Sequence, residues 1–194
     1  MTIKDKITPE LKNAFLESIK KTKETNREHG FLICTDKEGK LSVSRRECKG
    51  DLCNIRIELT PGECPEKVQG FFHAHPQKLL LEKFHNRKMT DEDVKRLIAK
   101  SRETFKPDIA IQSPSHHDVL ATLLSKCGKH IEGTVCTGSD LETDKVECWT
   151  IKRGAANFLT CKYAKIDSAS TKEIGIIPKK WIRPLFDKEM INLK

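Results

Sequence analysis

A chain of 194 residues, 37% hydrophobic and 33% charged, is long enough for one domain with a sizeable core and carries the charge of a water-facing surface. It has no apolar run long enough to cross a bilayer, and Lys4, Asp5 and Lys6 lead into an amphipathic segment rather than a signal peptide, so a cytoplasmic protein with no membrane partner is expected. The net charge of +8 favours acidic partners, nucleic acid or protein, but with no dense basic tract and no RNP-like aromatic motif, most of the lysines read as solvated surface and nucleic acid is the less favoured partner.

Thr8-Pro9-Glu10 predicts a helix start, with a cap, a proline in the first turn and an early acid. Leu11, Phe15, Leu16 and Ile19 give that helix one apolar face to about Lys21. A Lys-rich link to Arg27 leads to Glu28, at the mouth of an apolar strand from Phe31 to Cys34. Taken alone, Glu28 reads as the last charge of the basic stretch. Asp36-Lys37-Glu38-Gly39 predicts a turn into a strand from Leu41 to Ser44, and Cys48 to Asp51 reads as a loop. Asn54 to Leu59 alternates polar and apolar residues, as a half-buried strand does, and Pro61-Gly62 ends it.

Val68 to Phe72 reads as a buried strand that runs into His73-Ala74-His75-Pro76. Side chains alternate along a strand, so His73 and His75 project from the same face. Two such imidazoles are half of a metal site, although an isolated His-x-His is also a common accident. A helical apolar patch follows from Lys78 to Phe84. Thr90-Asp91-Glu92-Asp93 caps a second helix with Val94, Leu97 and Ile98 as its stripe, Pro107 stops it, and Ile109 to Ile111 reads as a short strand. Ser115 is then a natural N-cap for a helix carrying Val119, Leu120, Leu123 and Leu124, with Asp118 at its third position, where a carboxylate sits on the positive end of the dipole. Ser-x-x-Asp before an apolar run is also a plain capping box.

Gly128 reads as a C-cap, and His130 to Thr137 and Lys145 to Ile151 as strands around a polar turn. Phe158 to Ile166 reads as another strand, and Ile176 to Pro184 as an apolar, proline-broken segment packed on the domain. The expected architecture is α/β, a central mixed or antiparallel sheet flanked by helices. None of the eight cysteines forms Cys-x-x-Cys. Cys48, Cys53 and Cys64 cluster closely enough to suggest a second, structural zinc, Cys136 and Cys148 flank a hairpin where they could face one another, and buried thiols are expected for most of the rest.

Together, Glu28-x-Gly30 before an apolar strand, His73-x-His75-Pro76, and Pro114-Ser115-x-x-Asp118 before an apolar helix resemble the JAMM (MPN-plus, JAB-domain) zinc metalloproteases over about Glu28 to Ile151. The resemblance implies zinc on His73, His75 and Asp118 with a fourth position for water, Glu28 as general base and Ser115 as the hydroxyl that stabilises the oxyanion. It implies the layering shared by MPN and cytidine-deaminase folds. Residues 1–151 would form the catalytic domain with a helical insert at about 77–107, and residues 152–194 an extension packed on it. Ser115 lies 40 positions after His75, a far longer spacing than the family's pattern. The implied activity is a zinc-dependent, deubiquitinase-like peptidase or isopeptidase acting on ubiquitin-like or sulfur-carrier proteins. The alternatives are a catalytically inactive MPN-type scaffold and a basic nucleic-acid-binding protein. His116 and His117 read as exposed or capping rather than ligating, and His85 and His130 as incidental.

Overall fold

Thr8 begins the first helix as the sequence predicts. Its hydroxyl accepts the Leu11 N–H at 3.2 Å, and Pro9 opens helix α1, Pro9–Thr25. Leu11, Phe15, Ser18, Ile19 and Thr22 form the buried stripe. The helix runs one turn beyond the expected Lys21 and stops at Asn26, which takes the left-handed conformation (φ 54°) and returns its N–H to the Thr22 carbonyl. The computed structural model describes residues 2–50, 64, 66–104, 114, 118, 119, 122, 133–152 and 183–194.

The described strands are β1 (His29–Thr35), β2 (Leu41–Lys49), β3 (Lys67–His75), β4 (Thr134–Ser139), β5 (Lys145–Ile151) and β6 (Phe186–Asn192). They form one mixed sheet in the order β2-β1-β3-β4-β5-β6. Every neighbouring pair is antiparallel except β3 and β4, which run parallel. Parallel neighbours need a crossover, and this one includes α2 (Gln77–His85) and α3 (Asp91–Thr104). The parallel pairing brings the ends of β3 and β4 out on one side, with His75 opposite Ser139.

One face of the sheet packs on α1. Phe15, Phe31 and Phe72 meet there with ring centroids 4.7–5.7 Å apart, joined by Ile33, Ala74, Val146 and Ile191. Truncating a ring of this kind costs about 3–5 kcal/mol. Leu81, Met89 and Val94 form a second cluster between α2 and α3, with Leu141 against it. The predicted capping box at Thr90 is present and reciprocal: Asp93 N–H to Thr90 Oγ1, and Thr90 N–H to Asp93 Oδ2.

The sheet corrects several expectations. β2 continues to Lys49, so Cys48 lies in a strand opposite Gly30 rather than in a loop. Pairing with β1 resumes past a register shift and overrides a weak local pattern at Arg45-Arg46-Glu47. β4 continues to Ser139 because its ladder with β3 runs on to His75. β6 was not anticipated, since its charged Asp187-Lys188-Glu189 masks an edge strand. Cys64 is bonded to Cys34, so it is closed to a zinc shared with Cys48 and Cys53, and neither partner is a free thiol. Cys136 and Cys148 do face one another, directly across β4 and β5, and are joined as a second disulfide. The strands expected at 54–59, 109–111 and 158–166, the segment 176–182, and Cys53 lie outside the described residues. No helix among the described residues is long and apolar enough to cross a membrane.

Candidate metal centre

The left-handed turn at Asn26 ends α1 two residues before Glu28. The Glu28 carbonyl accepts the Gly50 N–H at 2.7 Å, which ties this position to the far end of β2. Glu28 is buried, at 4% exposure. The next residue, His29, is engaged elsewhere. Thr25 Oγ1 donates to the Lys21 carbonyl and lies 2.9 Å from His29 Nε2.

β3 presents His73 and His75 from one face, as alternation requires. The two rings meet edge to face at 4.6 Å, and Phe71 stacks on His73 from the other side at 6.0 Å. Their Nε2 atoms are 2.8 Å apart. One of the two must therefore accept through a lone pair. Burial holds the His73 imidazole below its ordinary pKa, with the Asp118 carboxylate pulling the other way. His73 is thus neutral at neutral pH, as a metal ligand must be. Its Nδ1 is buried and has no hydrogen-bond partner among the described residues.

Carboxylates stand at both ends of the imidazole pair. Asp118 Oδ2 is 3.5 Å from His73 Nε2, and Glu28 Oε1 is 3.9 Å from His75 Nε2. Asp118 is helical, with its carbonyl accepting the Thr122 hydroxyl at 2.7 Å, one turn on. Three segments of chain therefore deliver two nitrogens and two carboxylates in the sequence Glu28, His75, His73, Asp118. Ligands about 2.0–2.1 Å from a tetrahedral zinc stand roughly 3.4 Å from one another. The 3.5 and 3.9 Å spacings lie close to that, and the imidazoles need only part slightly from their direct contact. Two imidazoles with carboxylates suit a divalent transition metal, and among the described residues Glu28, His73 and His75 offer ligand atoms that all lie within 4.8 Å of one another.

Glu28, His73, His75 and Asp118 are thus brought together, and Glu28 approaches the imidazoles about as closely as Asp118 does. Ser115, His116, His117 and His130 lie outside the described residues. His85 ends α2 against Phe84, which is largely exposed. One residue at this end of the sheet escaped the sequence reading. Asp140, taken only as part of a polar turn, is buried just after β4, and desolvation raises its pKa. The signal for it is indirect: Pro76 gives α2 no side-chain cap, so an acceptor has to come from elsewhere. Comparison of the chain with protein-family models, with curated proteins and with solved structures finds no match.

Proposed function

We propose that the chain is a zinc-dependent peptidase or isopeptidase of the JAMM type, with MPN-like layering, that cleaves ubiquitin-like or sulfur-carrier protein conjugates or precursors. The observation that carries the reading is the meeting of Glu28, His75, His73 and Asp118 across gaps of 2.8–3.9 Å, although 43 positions, α2 and α3 among them, separate His75 from Asp118 in the chain. His73, His75 and Asp118 would hold the zinc. Bound there, it would supply Lewis acidity towards a carbonyl and bring the pKa of water towards neutrality.

The chain's own groups do the rest. Glu28 Oε1, buried beside His75, accepts a proton from the attacking water and returns it to the leaving amine. In an isopeptide that amine is a lysine ε-amine. The Ser115 hydroxyl donates to the oxygen that becomes negative. Burial of Glu28 and His73 keeps competing water from the proton path. The net charge of +8 suits an acidic protein substrate. A cytoplasmic setting goes with this reading, and two disulfides persist in such a setting in hyperthermophiles.

The compactness of Glu28, His73 and His75 favours a second reading of the same centre, in which Glu28 is a ligand and not the base. One variant separates the two. With Glu28 as base, Glu28→Gln retains zinc by elemental analysis while turnover of a ubiquitin-like fusion falls by about 10²–10⁴-fold. With Glu28 as ligand, the variant loses zinc as well. A wild-type protein purified with zinc present that retains none overturns both readings.

A further inference from the structure

The handover from β3 to α2 is held from outside by one residue. His75 is the last residue of β3, and Pro76 follows it as the N-cap of α2 with no side-chain acceptor of its own. The first N–H groups of a helix have no partner within it and need one. Asp140 supplies it: its Oδ1 accepts the Gln77 N–H at 2.8 Å, and its carboxylate also takes the Lys78 N–H. From the other direction, the Asp140 N–H donates to the His75 carbonyl at 3.2 Å. Asp140 therefore grips the chain one residue before Pro76 and again one and two residues after it.

The grip is itself well seated. Asp140 follows Ser139, which lies opposite His75 in the parallel ladder, and Ser139 Oγ accepts the Leu141 N–H at 3.2 Å. Leu141 packs on the cluster formed by Leu81, Met89 and Val94. His73 is placed differently, lying within the ladders to β1 and β4 with Phe71 stacked on its ring. His75 lies at the very end of β3, opposite Ser139 of β4 and one residue past Ala74, where the described ladder to β1 ends, and its direction depends on how the chain leaves that end.

We propose that Asp140 is a positioning residue for the metal centre: by clamping the backbone on both sides of Pro76, it fixes the direction in which His75 presents Nε2 to a divalent cation. The inference rests on the metal reading of Glu28, His73, His75 and Asp118. It joins the insert to the centre, because the carboxylate that starts α2 belongs to the residue whose N–H holds His75.

The test is zinc affinity of the full chain, read by competition with a chromophoric chelator, with circular dichroism as the check on folding. Asp140→Ala is expected to bind zinc about 10–100-fold more weakly than wild type, the usual loss when a group that orients a ligand is removed. Asp140→Asn keeps an oxygen acceptor for Gln77 and is expected to recover most of that loss. Val146→Ala, a cavity in the core of β5, lowers stability without touching the clamp and is expected to leave affinity near wild type. Should Asp140→Ala fail to fold, Asp140→Glu replaces it; that variant keeps the charge but moves the acceptor by one methylene, and the same weakening is expected. Wild-type affinity in Asp140→Ala, or in Asp140→Glu where that stands in, overturns the inference while leaving the metal reading intact. So does a loss in Asp140→Asn as large as in Asp140→Ala, which would assign the effect to charge. A wild-type protein that binds no zinc overturns both.

Discussion

His73 carries two demands that pull on its protonation. As a buried ring, it is held below its ordinary pKa of 6.5, while the carboxylate of Asp118 at 3.5 Å favours the charged form. Burial is the larger influence, so between the folded value and 6.5 the unfolded chain binds a proton that the folded chain does not. Stability from this residue is therefore fully present above 6.5 and lost as pH falls towards and through the folded value. Urea midpoints of the metal-free protein, taken from about pH 8 to about pH 5.5, should fall with pH, and His73→Gln should flatten that slope. A variant slope as steep as wild type would remove His73 from the account. At this scale the sequence was informative wherever spacing alone implies direction. His-x-His at a strand end is enough to aim His73 and His75 the same way. The nearness of Glu28 and Asp118 depended on an αL turn at Asn26 and on a crossover, and only the resemblance hinted at either. Asp140 had no local signature, because its role depends on a missing cap in a different element.

Elements carry the centre through one close approach. Gly30 of β1 lies opposite His73 of β3 and Cys48 of β2. A Cβ built on it would collide with the Phe72 carbonyl oxygen and crowd the His73 Cα and Cβ. Alanine in a strand ordinarily gains stability over glycine by about 0.5–1 kcal/mol. Here the obstacle is backbone, which cannot rotate aside, so overpacking of about 1–3 kcal/mol should prevail. Gly30→Ala is expected to lower the denaturant midpoint and, by shifting β1 against β3, to part Glu28 from His75 and weaken zinc binding. A variant as stable as wild type would mean that the two strands separate freely. The apolar runs at Phe31–Cys34 and Val68–Phe72, the Thr8-Pro9 helix start and the Thr90 capping box were all legible, since each is written in contiguous residues. Strand lengths were not, because β2 and β4 extend only as far as their neighbours continue to pair. The pairing of Cys34 with Cys64 was likewise invisible across 30 positions, whereas Cys136 and Cys148 face each other across a single hairpin.

At the scale of the whole molecule, the two ends of the chain close the fold together. β6 covers the edge of β5 along its full length, and the Leu193 N–H continues the ladder to the Asp144 carbonyl. Ile191 and Leu193 join Ile3 in the α1-side core, and the Ile3 N–H donates to Glu189 Oε1 at 2.8 Å. On the opposite face, Phe186 packs near Trp149, over which Lys188 lies at 4.1 Å. The last strand, hidden in the sequence by its charges, therefore belongs to the same sheet as His73 and His75, three strands from them. Burying Phe186, Ile191 and Leu193 contributes about 1.5–3 kcal/mol each, roughly 5–9 kcal/mol together. That is comparable with the entire net stability of an ordinary domain, about 5–15 kcal/mol. A chain ending at Leu185 should accordingly lose its cooperative thermal transition by circular dichroism and, with it, zinc binding. Met190→Lys changes a half-exposed position of the same strand and should keep both. If the shortened chain melts cooperatively near the wild-type temperature, the remaining strands form a complete core without β6, and the two ends of the chain close nothing that the metal centre needs.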